Sequence, residues 1–381
     1  MLTKILIINS SNEKNSLLVQ VFNELSQKDV SFILWSSGEW LIKRFGQAPG
    51  QNKKIFLGPS LKNNFKALLF LTALPLIGLT VFIRLAALRI KRQADAIICL
   101  DLNEKIIASL PAKILGIKII WLENTNLNYR KTNKLLFFIY KLSSRFAKII
   151  TFNDYTRTQL INSGIDRQKI ITVPLGAKIS RYQENIFNKL AAVKQADFHK
   201  KYFTVGIINS LNQKQKIENV FQAIRTCLTV ISNIQLIIIG EGEERKNLIW
   251  LAKKMEIENV VWLVGEQEQL KKWLDSFDIF LVINDSPELD DCGNVLEAMA
   301  AGLPVLAPRN IGLEHFVLEN KTGALIESDN SEMLARQIIK LHQDKRLRLN
   351  LGKNGQERAE KFFSLNQMVT ALKKILNAPN G

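Results

Sequence analysis

Twelve short apolar runs, separated by longer amphipathic segments, leave few folds open to this chain. Seven fall in the first half, at residues 4–8, 31–35, 54–57, 96–100, 118–122, 148–152 and 170–173. Five follow at 203–208, 235–239, 260–264, 279–283 and 304–307. Helical periodicity fills the gaps over 14–26, 104–115, 135–146 and 155–163, then over 217–231, 243–254, 267–276, 294–301, 331–342 and 346–363. Strands that alternate with helices predict parallel sheets covered on both faces. Residues 177–200 are polar and lack an apolar period, so they read as a link with some helix. With 381 residues the chain exceeds one ordinary core. The expectation is two Rossmann-like, doubly wound α/β domains facing a central cleft, at 1–176 and 201–362. A closing helix over 363–381 is expected to return to the first domain. Ligands bind such sheets at the carboxyl ends of the strands.

Charge divides along the same boundary. Residues 1–200 hold 30 Lys+Arg against 12 Asp+Glu, a balance of +18; residues 201–381 hold 22 against 23, a balance of −1. A basic half suits an anionic partner: nucleic acid, a membrane surface or a phosphorylated substrate. No aromatic-basic nucleic-acid module is present, so no nucleic-acid partner is expected. Cys99, Cys227 and Cys292 lie far apart, without disulfide or zinc spacing, which suits a reducing compartment. The three histidines form no metal cluster, and Met1 leads almost directly into an apolar run, so no signal peptide is expected.

One segment departs from the pattern of a plain soluble domain. Residues 67–83, ALLFLTALPLIGLTVFI, carry no charge, while Lys53, Lys54, Lys62 and Lys66 precede them and Arg84, Arg89, Lys91 and Arg92 follow. Seventeen residues fall short of the ~20 that a spanning helix needs, and Pro75 and Gly78 interrupt the run. A buried core helix and an interfacial helix both remain open. The surrounding positive charge favours the interfacial reading, with apolar side chains at the acyl boundary and cations at anionic head groups.

Chemistry concentrates at SPELDDCGNVLEAMAAGLPVLAP, residues 286–308. Glu288, Asp290 and Asp291 follow an apolar run, Gly293–Asn294 permits a turn, and a helix is expected from about Asn294 with Glu297 in its first turn. A helix start offers free N–H groups and partial positive charge, which suit phosphate. Acids there also act as plain helix caps.

The string GNVLEAMAAGLPVLAP closely resembles the nucleotide-sugar motif of the family 4 glycosyltransferases, retaining enzymes of the two-Rossmann GT-B fold. AKIITFNDYTRTQLINSGIDRQKIITVPLGAKISRY is similar to the end of that family's first domain. IQLIIIGEGEERKNLIWLAKKMEIENVVWLVG, with Gly240, Gly242 and Arg245, is similar to its next strand-loop-helix-strand unit. LEHFVLENKTGALIE is similar to the segment after the motif. The resemblance runs from about Lys148 to Phe363. It implies that Glu297 binds the ribose hydroxyls of a nucleotide. It implies a second acid near the transferred sugar, at Asp290 with Glu288 as the alternative. The N–H groups of Asn294, Val295 and Leu296 are then the expected ligands of the distal phosphate.

The chain departs from the family in four places. The two acids of the family stand eight positions apart, whereas Leu289 occupies that position here. An Arg that holds the diphosphate maps to Ser210, leaving Lys214 or Lys216 as the cation. A glycine-rich loop after the first strand is replaced by NSSNEKNS, where Ser10, Ser11 and Asn12 are candidate acceptor contacts. Glu123 and Asn124 stand where a His is common and are candidate cleft residues on the acceptor side. The resemblance implies transfer of a sugar from a nucleotide-diphosphate donor with retention, without metal or cofactor; because the acceptor-side domain carries both the apolar segment and the positive charge, a lipid-linked or cell-surface polysaccharide acceptor is expected. The expected location is cytoplasmic, peripheral at the inner face of the membrane. Two alternatives stay open: a nucleotide-sugar-binding relative with weak or no turnover, and an enzyme with a soluble acceptor.

Overall fold

The computed structural model describes residues 3–11, 15–28, 30–45, 52–59, 61, 64–123, 133–179, 202–212, 214–285, 288–309 and 311–378. Two compact units divide the chain. The first comprises residues 1–175, 288–290 and 366–381; the second comprises 176–287 and 291–365.

Among the described residues, the first unit holds a seven-stranded sheet of order β3-β2-β1-β4-β5-β6-β7. Its strands are β1 (Thr3–Asn9), β2 (Val30–Ser36), β3 (Asn52–Lys54), β4 (Ala96–Cys99), β5 (Lys118–Leu122), β6 (Lys148–Thr151) and β7 (Ile170–Thr172). Every neighbouring pair is parallel. The central strands read as unbroken apolar runs because helices cover both faces; Ile5 to Ile8 and Ala96 to Cys99 are all buried. Helices α1 (Ser16–Ser26) and α2 (Glu39–Arg44) follow β1 and β2. Helices α3 (Asn64–Ile90), α4 (Leu102–Ile114), α5 (Lys134–Ser144) and α6 (Asp154–Asn162) follow β3 to β6. The chain reverses direction across the sheet between β3 and β4, so right-handed crossovers put α3, α4 and α5 together on the face opposite α1.

Two expectations are corrected here. The third strand is Asn52–Lys54, ahead of the apolar run at 54–57. That run instead places Ile55 and Leu57 in the core, with Ile55 N–H donating to Ser36 O at 3.0 Å just past the strand. The uncharged segment 67–83 is only the middle of a 27-residue helix, and Pro75 lies inside it.

The second unit holds a six-stranded parallel sheet of order β10-β9-β8-β11-β12-β13 among the described residues. Its strands are β8 (Phe203–Ile208), β9 (Ile234–Ile239), β10 (Val261–Gly265), β11 (Ile279–Leu281), β12 (Val305–Pro308) and β13 (Gly323–Ile326). The sequence reading missed β13, a four-residue strand with Gly at its first position. That glycine is required, because a Cβ there would collide with the Val305 carbonyl of β12. The helices are α7 (Lys214–Leu228), α8 (Arg245–Lys254), α9 (Leu270–Ser276), α10 (Leu289–Ala300), α11 (Ile311–Glu314), α12 (Ser331–Gln343) and α13 (Lys345–Phe362). Ile217, Val220, Phe221 and Ile224 of α7 share one buried core with Leu334, Ala335 and Ile338 of α12.

The expected link at 177–200 lies mostly outside the described residues, which resume at Tyr202. Its start is ordered by a pair of backbone bonds. Ala177 N–H donates to Phe363 O at 2.8 Å, and Leu365 N–H donates to Ala177 O at 2.9 Å. The closing helix α14 (Leu365–Asn377) falls with the first unit from Asn366 onward. Lys118 Nζ closes its last turn by donating to Ile375 O at 2.7 Å and Leu376 O at 3.0 Å. A lysine at a helix C-terminus satisfies orphan carbonyls and the negative end of the dipole.

Candidate active site

The strand order of the second unit reverses between β8 and β11, the position at which open α/β sheets bind ligands. Three loops knit together at the carboxyl edge. Leu211 N–H donates to Glu241 O at 3.0 Å, Glu244 N–H to Leu211 O at 3.0 Å, and Gly240 N–H to Gly265 O at 2.9 Å. Gly240 has φ +147°, and a Cβ there would collide with the Asn209 carbonyl, so only glycine brings these loops so close. Arg245 braces the same edge by donating to Glu241 Oε1 at 3.1 Å and Leu263 O at 2.8 Å. Ser210 lies exposed just past β8.

Helix α10 carries the motif, and its start differs from the expected one. The helix begins at Leu289, five residues before Asn294. Only the first four N–H groups of a helix lack an intrahelical acceptor. Asn294, Val295 and Leu296 therefore lie in the helix interior, and their N–H groups are not free for phosphate. Gly293 and Asn294 form no turn. What the longer helix does is sort its side chains. Leu289, Cys292, Val295, Leu296, Ala298, Met299 and Ala300 are buried, while Asp290, Asn294 and Glu297 are half-exposed. Asp290 and Glu297 are seven residues apart, so they share one face about 10 Å apart along the axis. The missing residue relative to the family spacing thus keeps the two acids aligned.

Asp290 belongs with the first unit. Its carboxylate accepts from Ser16 N–H at 2.9 Å, Ser16 Oγ at 2.9 Å and Leu17 N–H at 3.0 Å. It therefore caps the first turn of α1, whose preceding Asn15 makes no side-chain cap. Glu288 is exposed. Asp291 accepts from Asn284 Nδ2 at 2.8 Å.

Lys216, in the first turn of α7, forms an ion pair with Asp285. Asp285 Oδ1 in turn accepts from Ser328 Oγ at 2.7 Å. The pair borders a pocket at the ends of β11, β12 and β13, lined also by Asn219, Asp329 and Asn330. Lys214 is exposed one turn edge away. Of the two candidate lysines, the structure brings Lys216 to this pocket and holds it with a carboxylate. Asp285 and Ser328 escaped the sequence reading because they are distant in sequence and belong to no recognisable spacing.

The first unit carries a second polar centre at its own reversal, between β1 and β4. Glu104 is wholly buried, and its Oε1 accepts from Asp101 N–H at 2.7 Å, Ser10 N–H at 3.3 Å and Leu100 N–H at 3.3 Å. Asp101 Oδ2 accepts from Ser11 N–H at 3.1 Å. Asp101 and Glu104 form a capping box on α4, so the motif DLNE in the sequence was the available signal. Burial raises the Glu104 carboxyl above the usual range. The candidate contacts Ser10 and Ser11 thus spend their backbone donors on carboxylates of α4. Asn12 and Asn124 lie outside the described residues.

Glu123 is corrected from a cleft residue to an internal anchor. It is fully buried, pairs with the equally buried Lys105 at 3.1 Å, and accepts from Tyr140 Oη at 2.9 Å. Burial, followed by the nearby Glu123 charge, pushes the Tyr140 phenol well above its ordinary value. Trp121 Nε1 donates to Ser109 Oγ at 3.1 Å beside it, and its ring centroid lies 5.0 Å from that of Tyr140.

Comparison with known proteins agrees with this architecture. Two Rossmann-like units with parallel sheets define the GT-B fold. A family model described as "Glycosyl transferases group 1" matches residues 189–358. N-acetyl-alpha-D-glucosaminyl L-malate synthase of Bacillus anthracis is 28% identical over 169 residues, 44% of this chain and 43% of that protein. The lipopolysaccharide core biosynthesis glycosyltransferase LpsE of Rhizobium meliloti is 29% identical over 157 residues, 41% of this chain and 45% of that protein. The match therefore spans less than half the length of these two relatives. Among solved structures, Anabaena HepE in complex with UDP superposes with a TM-score of 0.75 at 17% identity, covering 98% of this chain and 99% of that one.

Proposed function

We propose that the protein is a retaining glycosyltransferase that moves a sugar from a nucleotide-diphosphate donor, held by the second unit, to an acceptor held by the first. The observation that carries this is the placement of Glu297. The motif helix puts that carboxylate on a half-exposed polar edge after the switch-point strand β11, in the segment that the group 1 model matches. A carboxylate there accepts both vicinal hydroxyls of a ribose at once. HepE has been solved with UDP and with UDP-glucose, which supports a uridine donor.

In this reading Lys216, with Lys214 nearby, meets the diphosphate, and the exposed Glu288 faces the transferred sugar; Asp290, whose carboxylate caps α1, is the alternative. Fixed cations stabilise charge that grows on the leaving group. The leaving phosphate assists the incoming hydroxyl on the same face of the sugar, so the protein's task is positioning and charge stabilisation. The diphosphate charge falls to lysines, without a divalent ion or cofactor.

The acceptor is lipid-linked or a surface polysaccharide intermediate, and the protein is peripheral at the cytoplasmic face of the membrane. Helix α3 supports this. Ala67, Phe70, Ile77, Val81 and Leu85 form a buried seam, whereas Phe65, Leu68, Leu76, Leu79 and Ile83 are exposed, Leu76 by 73%. The helix is long and apolar enough to cross a bilayer by length and composition. Its buried seam favours lying in the interface instead.

A second reading, donor binding with weak turnover, draws on Ser210 in place of a cation and on Asp285 neutralising Lys216. A panel of UDP-, GDP- and ADP-sugars assayed with a membrane lipid extract separates the two. Transfer supports the first; UDP binding without transfer or hydrolysis supports the second. Glu297→Ala should weaken UDP binding about tenfold or more, since it removes a charge-assisted pair of hydrogen bonds. Unchanged binding would refute the site.

A further inference from the structure

We infer that the first unit docks on an anionic bilayer through one continuous face built from α3, α4 and α5, with α3 supplying only part of it. The inference rests on the membrane reading of α3 and extends it to two more helices. The three helices lie side by side on one face of the sheet, and their inner residues belong to a single buried core: Phe70 and Val81 of α3, Ile106 of α4, and Leu136 and Tyr140 of α5. Among the described residues, their outer side chains are exposed. On α5 the exposed stripe is Leu135, Phe138 and Leu142, interleaved with Lys134 and Lys141. On α4 the first eight residues are buried, and only Leu110, Lys113 and Ile114 in its last turns reach the surface. On α3 the apolar row runs from Phe65 to Ile83, bordered by Lys66 and Arg84.

Charge selects the partner. Helices α3 and α5 contain no Asp or Glu, and the one acid of α4, Glu104, is wholly buried. Every exposed charge on the three helices is therefore positive. Exposed helices of the second unit differ: α12 pairs Arg336 with Glu332, and α13 pairs Lys353 with Glu357. Large apolar side chains at the outermost positions, with lysine stems able to reach outward beside them, match an acyl boundary beneath anionic head groups. The α3 helix alone is about 40 Å long, so the face is too extended and too uniformly cationic for a compact protein epitope.

The test is flotation of the full chain with phosphatidylcholine vesicles, with and without phosphatidylglycerol. Leu76→Glu/Leu79→Glu alters α3, Leu135→Glu/Phe138→Glu alters α5, and Lys134→Gln/Lys141→Gln removes charge alone. Circular dichroism and melting monitor the fold. If the α5 double variant melts early, Phe138→Ser serves in its place, with about threefold loss expected. The wild type should float with the anionic vesicles and barely with the neutral ones. Each glutamate pair should reduce partitioning about tenfold or more, and the glutamine pair should reduce it on anionic vesicles only. If the α5 variants float like wild type while the α3 variant does not, the three-helix face is overturned and the α3 reading stands. Equal flotation with neutral vesicles overturns the anionic partner. If the wild type does not float at all, both membrane statements fall. UDP calorimetry on the same samples judges the donor reading separately.

Discussion

Removing the ammonium of Lys105 should unfold the first unit more effectively than any surface change. Lys105 and Glu123 face each other at 3.1 Å with no side-chain exposure, and Tyr140 donates to the same carboxylate. Lys105→Met keeps most of the aliphatic volume and strands the Glu123 charge in the core. Breaking one side of a buried pair costs roughly 3–5 kcal/mol, because the remaining charge has lost its counter-ion. For a unit of this size, each kcal/mol moves the midpoint by about 2–4 °C, so the fall should be about 6–20 °C. The assay is differential scanning calorimetry. With two units the unfolding is not two-state, and the transition of the second unit serves as an internal reference that should not move. Adding Glu123→Gln removes the stranded charge while leaving an oxygen for Tyr140. The double variant should therefore be more stable than Lys105→Met alone, with a coupling of about 2 kcal/mol or more. A cost below about 1 kcal/mol for Lys105→Met, or strict additivity in the double variant, would refute the buried-anchor argument.

Three further outcomes follow from the same geometry. The buried Glu104 carboxyl has its pKa raised from 4.5, so the folded state holds that proton more tightly than the unfolded chain. Its contribution to stability is present at low pH and lost as pH rises through the raised value; Glu104→Gln keeps Oε1 for the three N–H donors and should flatten the pH dependence of the first-unit midpoint above about pH 4.5. Asp285→Asn frees Lys216 from its ion pair and should tighten UDP binding by about three- to tenfold in calorimetry; unchanged affinity would take Lys216 away from the diphosphate. Cys99, Cys227 and Cys292 are all buried; burial pushes the Cys227 thiol up to about 12 and the Cys99 thiol well above its ordinary value. A thiol reagent at mildly alkaline pH should therefore modify none of the three in the native protein and all of them in urea.

Periodicity located most of the framework because parallel strands buried on both faces must be apolar throughout. Ile5–Ile8, Ile97–Cys99 and Leu236–Ile239 could hardly be anything else. The strands that escaped, or shifted, lack that signature. Asn52–Lys54 is an edge strand of polar residues, placed by its pairing with Leu34, Trp35 and Ser36. Gly323–Ile326 is short and opens on a glycine that only the neighbouring Val305 carbonyl explains. Helix α3 was legible as an apolar run but not in its extent, because its flanking Lys66, Arg84 and Arg89 interrupt hydropathy without interrupting helical geometry.

The site was harder to read, for a reason visible at the motif itself. Gly293 and Asn294 are a turn signal by local propensity, and reading them so starts the helix too late. In the structure Leu289 and Cys292 already bury on the same side as Leu296 and Met299, and this tertiary packing carries the helix through the glycine. A glycine inside a helix costs only about 1 kcal/mol relative to alanine. Burying one leucine-sized side chain contributes roughly 1.5–3 kcal/mol, so packing wins. The same balance decides what the acids can do. With the helix extended to Leu289, phosphate can no longer find free N–H groups at Asn294, Val295 and Leu296. In the proposed site the diphosphate charge therefore rests on a side-chain cation. In the proposed site that cation is Lys216, which lines a pocket and is already held by Asp285; on that proposal donor binding exchanges one anion for another. Affinity should then fall as salt rises, more steeply in Asp285→Asn, where Lys216 meets the diphosphate as an unpaired cation, than in the wild type, where one anion replaces another.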